Sequence, residues 1–259
     1  MLLQMAPEPT ARRYYVSLGD SMSIDAYAGG PGRGAASLLY KNRDEDFPEW
    51  VGRDLATRRK GTRLVPLAMD GATSATVRYA QIPRLREMKI SADVVTVTLG
   101  GNDLIQTLGS DESARRAHRE LRENTHAVLA ELRAGLLAPG APVVVGTVYD
   151  PSDGAGNPEA VGGGMGAWPV PSEWIARFNE TLRQVAAEQG AIVADLHACF
   201  LGHGLPAGAP GQQEARPANR ELWYWGGIEP NAWGASAIRG AFWDALFGEA
   251  GPWKEDETT

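Results

Sequence analysis

The feature that most constrains this chain is a repeated alternation between short apolar runs and helical patterns. Five β-rich runs recur at residues 14–18, 63–68, 93–99, 142–148 and 191–195. Between and after them, helical spacing fills residues 45–60, 74–88, 111–136, 171–189 and 232–247. Strands alternating with helices predict a parallel sheet covered on both faces. Two of the runs, Val94-Val95-Thr96-Val97-Thr98-Leu99 and Val143-Val144-Val145-Gly146-Thr147-Val148, are apolar on both sides, as a buried parallel strand requires. The expected class is α/β, a three-layer α/β/α sandwich around a five-stranded parallel sheet. With 259 residues and no internal repeat or linker, residues 1–259 read as one domain. Residues 1–12 are expected to be a disordered N-terminus and 250–259 a flexible tail.

Composition excludes several classes. A net charge of −7 and the lack of a basic tract argue against a nucleic-acid partner. One cysteine, Cys199, cannot form an internal disulfide. No signal-like N-terminus or membrane-length apolar window stands out, so a cytoplasmic protein without a membrane partner is expected. No metal-ligand spacing or phosphate-cradling loop occurs, so neither metal nor other cofactor is expected. Oligomeric state leaves no mark in the sequence.

Chemistry concentrates where the runs end. In an open α/β sheet the loops after strand C-termini build the ligand crevice. Residues 25–44, 151–170 and 201–220 read as such loops, neither strand nor helix. The first run breaks into Gly19-Asp20-Ser21. Gly19 permits a tight turn, Asp20 or Ser21 can cap the next segment, and Ser21 is delivered to the sheet rim as a candidate nucleophile. Gly71 comes after the second run, where a missing side chain lets a backbone N–H face a ligand. Asn102 comes after Gly100-Gly101 at the end of the third run, and its amide is a neutral donor suited to a developing oxyanion.

Gly19-Asp20-Ser21, Gly71 and Gly101-Asn102-Asp103, in order and each after a strand, resemble the first three blocks of the GDSL/SGNH hydrolases. The resemblance implies that family's flavodoxin-like fold and a small ester-like substrate. It also implies a serine nucleophile, with an oxyanion hole formed by the serine N–H, the second-block glycine N–H and the asparagine amide. The fourth block departs. The family has Asp-x-x-His followed by Pro-Asn; this chain reads Gly226-Gly227-Ile228-Glu229-Pro230-Asn231. Glu229 stands where the base belongs and Gly226 where its orienting aspartate belongs.

Three repairs are open. Glu229 can itself take the serine proton; an ordinary glutamate is about two pKa units less basic than histidine, a loss of roughly 3 kcal/mol that burial can partly restore. His203, flanked by glycines on a strand-end loop, can replace the missing histidine, with Glu229 orienting it. Alternatively the site no longer hydrolyses: a cyclase, lyase or isomerase would use the oxyanion hole with Glu229 as acid/base, and a degenerate member would only bind its ligand. The first reading, an esterase or acyltransferase with an atypical base, is the leading expectation. Asp20, Asp25, Tyr27, Asp150 and Trp225 are candidate substrate contacts. His118 and His126 are expected on a solvated helix face.

Overall fold

The computed structural model describes residues 12–154, 171–205 and 220–248. The expected N-terminal arm (Arg12 apart) and C-terminal tail (250–259) lie outside the described residues, as do 155–170 and 206–219 of the two later loops. Five parallel strands, β1 (Arg13–Leu18), β2 (Thr62–Pro66), β3 (Val94–Val97), β4 (Val143–Gly146) and β5 (Ile192–Ala194), form one sheet in the order β2-β1-β3-β4-β5. This is the flavodoxin-like order, in which the strand order reverses between β1 and β3. Register is fixed by pairs such as Tyr15 with Leu64 and with Val94, and Val97 with Val145. β3 and β4 are buried along their whole length, as continuous valine runs predict.

The helices are α1 (Ala35–Tyr40), α2 (Leu55–Arg58), α3 (Ser74–Thr76), α4 (Ile82–Glu87), α5 (Gly101–Ile105), α6 (Asp111–Gly135), α7 (Ser172–Glu188), α8 (Leu196–Phe200) and α9 (Ala232–Phe247). Stepping from β1 outward to β2, then back past β1 to β3, β4 and β5, sends right-handed crossovers to opposite faces of the sheet. Accordingly α1 packs with α9 on one face, while α3, α4 and α7 pack with the long α6 on the other. A last two-stranded ribbon, β6 (Tyr224–Trp225) and β7 (Glu229–Pro230), pairs antiparallel and leads into α9.

Three expectations need correction. Residues 45–60 are not one helix: a 3₁₀ turn at Pro48–Trp50 and the four-residue α2 are separated by Gly52, at φ +78°, and by Asp54, whose carboxylate caps the Thr57 N–H. Residues 25–44 are not all loop, because Ala35–Tyr40 is a helix whose alanines and leucines are buried. His118 is not on a solvated face: its Nε2 lies 2.6 Å from Thr181 Oγ1 of α7, and its ring packs between Trp174 and Phe178. Burial lowers its pKa.

Candidate active site

The turn after β1 is built around a glycine that nothing else can replace. Gly19 has φ +122°, and a Cβ there would lie 1.9 Å from the Thr98 carbonyl oxygen at the end of β3. Its backbone is clamped on both sides by the buried Gln81 side chain: Gly19 N–H donates to Oε1 at 2.8 Å, and Nε2 donates to the Gly19 carbonyl at 2.7 Å. Gln81 ends a π-helical turn, Val77–Gln81, between α3 and α4, a local distortion often found beside functional sites. Gly19→Ala is expected to destabilise the fold by more than about 3 kcal/mol, since it combines a backbone clash with a strained φ. Chemical denaturation monitored by fluorescence checks this.

From that turn Asp20 caps a 3₁₀ turn, Ser21–Ser23, by accepting the Met22 N–H at 3.2 Å. The Asp20 N–H donates to Thr98 Oγ1, which also pairs with Ser23 Oγ at 3.0 Å. Because Asp20 supplies the cap, the Ser21 side chain is spared that task. Ser21 lines a pocket together with Asp20, Met22, Gly101, Asn102 and Glu229. Counted out to its open mouth, the pocket holds about 450 Å³.

Asn102 sits in the first turn of α5 and donates one amide hydrogen to the Ala72 carbonyl at 3.0 Å. That leaves its second amide hydrogen for the pocket it lines. The next residue, Asp103, ties α5 to α3: its carboxylate accepts both the N–H and the hydroxyl of Ser74, at 2.8 and 2.5 Å. Ser74 Oγ in turn accepts from Asn124 of α6 at 3.1 Å. Gly71, exposed and at φ +69°, adjoins Ala72 with open space where a Cβ would project.

Glu229 comes from β7, opposite Trp225 of β6. The connecting turn holds Gly226 at φ +60° and Gly227 at φ +108°. The position where the family has aspartate is thus a left-handed turn that suits glycine. Two bonds fix the segment on either side of Glu229. Tyr149 Oη donates to the Ile228 carbonyl at 2.6 Å, and Asn231 caps α9 by accepting the N–H groups of Trp233 and Gly234 at 3.0 Å each. Burial is the main cause that pushes the Glu229 carboxyl up to about 7; the Ser21 hydroxyl, its hydrogen-bonding neighbour, offsets part of the rise, and the charges of Asp20 and Asp70 add to it. The second carboxyl oxygen, Oε2, is buried without a hydrogen-bond partner. Burial also raises Asp20, to about 6.

The remaining candidates are scattered in role. His203 is not brought to the serine pocket. Its Nδ1 lies 3.1 and 3.2 Å from the carbonyl oxygens of Arg220 and Glu221, and its ring stacks on Trp223 at 3.5 Å. An Nδ1 that faces two carbonyls is a donor, and the residue closes a chain crossing rather than facing Ser21. Asp25 spends both carboxylate oxygens on its own loop, accepting from Gly32 and Gly34 N–H at 2.8 Å each. Asp150 does likewise, accepting from Ser152 and Gly154. Those two side chains anchor loops instead of pointing to a substrate. Tyr27 and Trp225 pack together with ring centroids 5.3 Å apart, and Tyr27 Oη donates to Asp70 at 2.7 Å, which pushes its own pKa up to about 12. Among the described residues, no group of three His, Cys, Asp or Glu side chains is arranged to hold a metal ion, and no helix is long and apolar enough to cross a membrane.

Sequence reasoning missed Gln81, Tyr149 and the apolar lining of the pocket. Gln81 and Tyr149 act through backbone groups distant in sequence, and no local pattern marks such a bond.

The geometry agrees with a comparison of the whole sequence. The GDSL-like lipase/acylhydrolase family pattern matches residues 17–236. The chain belongs to that family. Family membership makes it an ester hydrolase by class. Relatives include the spore germination lipase LipC of Bacillus licheniformis, 26% identical over 197 residues that cover 73% of this chain and 82% of that protein. Lipase 2 of Streptomyces coelicolor is 27% identical over 235 residues, covering 78% of this chain and 76% of that one. Among solved structures, a lipase from a goat rumen metagenome superposes with a TM-score of 0.60 at 19% identity, covering 90% of this chain and 97% of its own. An acetyl xylan esterase from Geobacillus stearothermophilus gives 0.59 at 15% identity, covering 92% and 95%. At such identities the structural matches speak for the shared fold.

Proposed function

We propose that the chain, working as one domain, is a serine-dependent acyl hydrolase in which Glu229 replaces histidine as the base. The observation that carries this is the pairing of Ser21 with a buried carboxyl whose pKa is pushed up to about 7. A carboxylate poised there is half ionised near neutrality, which recovers most of the basicity that an ordinary glutamate lacks. The names of the relatives, lipases and esterases, support an ester as the substrate.

In the proposed sequence Ser21 Oγ attacks the ester carbonyl carbon as its proton passes to the Glu229 carboxylate. The carbonyl oxygen becomes an oxyanion, received by the free Asn102 amide hydrogen and by the backbone N–H groups of Ser21 and Gly71. Collapse breaks the bond to the leaving alkoxide, which takes the proton back from Glu229. Water then attacks the acyl-serine, giving its proton to Glu229, and the second collapse returns that proton to Ser21 as the acid leaves. An alcohol in place of water turns the same intermediate into an acyl donor.

Two tests bear on this reading. Asn102→Ala removes one oxyanion donor and is expected to lower kcat by about 10²- to 10³-fold with a smaller change in KM. Steady-state kinetics on a p-nitrophenyl ester measure it. Asp20→Asn keeps the capping oxygen but removes a negative charge that raises Glu229. The alkaline-rising limb of kcat/KM against pH should therefore move to lower pH. A limb that stays put would mean that the titrating group is not Glu229.

A further inference from the structure

Glu229 meets Ser21 on one side and, on another, a group of residues that the proposed chemistry leaves unused. Trp225 is its direct partner across the β6-β7 ribbon, so the two side chains stand on one face of that ribbon. The Trp225 ring packs on Tyr27, with centroids 5.3 Å apart and planes tilted by 33°. Tyr27 Oη donates to Asp70 at 2.7 Å, and Asp70 directly precedes Gly71. Trp225 and Tyr27 are half-buried and Asp70 is exposed, so the three form a rim open to solvent. None of them is among the residues that wall the serine pocket, whose other lining is largely apolar. The nucleophile and its base thus stand between two unlike surfaces, an apolar pocket and an aromatic, acidic rim.

The charge along this rim has one sign. The charges that act on Glu229 are those of Asp20 and Asp70, and those that act on Tyr27 are those of Glu229 and Asp70. Electron-rich ring faces held beside carboxylates attract a cation. A neutral sugar can also lie against such rings, but it gains nothing from the negative charge. The reaction decides which part of a substrate comes here. In the proposed sequence the leaving alkoxide takes its proton from Glu229, so the alcohol side of the ester passes Glu229, and Trp225 and Tyr27 come next.

We infer that Trp225, Tyr27 and Asp70 form a subsite for the alcohol part of the ester, and that this part carries a positive charge, as in an ester of choline or another amino alcohol. This rests on the proposed serine chemistry and adds the class of leaving group to it. The bond that breaks joins the acyl carbon to the alcohol oxygen. The alkoxide takes the proton held by Glu229 and departs as the cationic alcohol, its ammonium group unchanged. A cation over an aromatic face is worth about 2- to 30-fold in affinity.

The test compares three esters of one acid: butyrylcholine, its uncharged isostere 3,3-dimethylbutyl butyrate, and a butyrate ester of glucose. Acid release is followed by titration at constant pH, and each kcat/KM is divided by the rate at which hydroxide alone cleaves that ester. For the wild-type protein the corrected ratio of the choline ester to its isostere should be about tenfold, within the range of a cation over aromatic rings. Trp225→Leu should cut that ratio by about fivefold, and Tyr27→Leu and Asp70→Asn by about threefold each. Trp225 adjoins Glu229, so its loss can slow every ester; the ratio within one variant cancels that effect. Tyr27 and Asp70 are the less buried positions and keep the test independent of how the Trp225 variant folds. A wild-type ratio of one or below, a ratio unmoved by all three variants, or a glucose ester preferred to the choline ester would overturn the inference while leaving the serine chemistry standing. No turnover of any of the three esters, nor of a p-nitrophenyl ester, would overturn the hydrolase reading itself, and this inference with it.

Discussion

Ser21→Ala is expected to lower kcat/KM on a short-chain p-nitrophenyl ester by about 10⁴-fold, without loss of folded protein. The loss is large because every bond-making step of the proposed sequence passes through that hydroxyl, and only binding and the oxyanion donors remain without it. Folding should survive because the capping of the turn belongs to Asp20 and the clamp to Gln81, so the Ser21 hydroxyl does no structural work there. A circular dichroism melt of the variant beside its kinetics separates the two effects.

Glu229→Gln is the second large expectation, and it acts on activity and stability in opposite senses. The glutamine keeps the shape but cannot accept the Ser21 proton, so kcat/KM should fall by about 10²- to 10⁴-fold and lose its dependence on pH near 7. The wild-type curve should rise as pH passes through about 7, where Glu229 ionises. His203→Ala should leave both rate and limb in place, since that ring faces Trp223 and two backbone carbonyls. For stability, the folded-state pKa stands above the ordinary 4.5. The folded chain binds this proton more tightly than the unfolded chain. Its stabilising contribution is therefore complete below about pH 4.5 and is lost as pH rises through about 7. At pH 8 the glutamine variant should be more stable than the wild type by up to roughly 3 kcal/mol, shrinking toward zero at pH 4. Urea melts at the two pH values measure this. Loss of activity joined to a gain in alkaline stability is the signature of a charge buried for function.

The sheet is legible in the sequence because two of its strands, β3 and β4, are continuous valine-rich runs that burial on both faces demands, and because Gly19, Gly71 and Asn102 each follow one of the five apolar runs. A single helix over 45–60 is a false reading, because periodicity carries through Gly52 while the backbone there does not. His203 illustrates a different limit. Flanking glycines mark a histidine as reachable but not as directed, and here the ring is captured by Trp223. Asp25 and Asp150 mislead for a related reason, since an aspartate that closes its own loop is written with the same letters as one that meets a ligand. Glu229 is marked by its place between matching flanks. The burial that raises its carboxyl, and the charges of Asp20 and Asp70 that add to the rise, arise only when the ends of β1 and β2 meet β7.

The central claim, that Glu229 activates Ser21, is tested most directly by the rate at which a fluorophosphonate labels the serine as a function of pH. The measurement compares the wild-type protein, His203→Ala and Glu229→Gln, with the labelled residue identified by peptide mass. The expected result is a labelling rate at Ser21 that rises through about pH 7 in the first two proteins and is slow and flat in Glu229→Gln. Labelling of Glu229→Gln at the wild-type rate, or loss of the rise in His203→Ala, would contradict it.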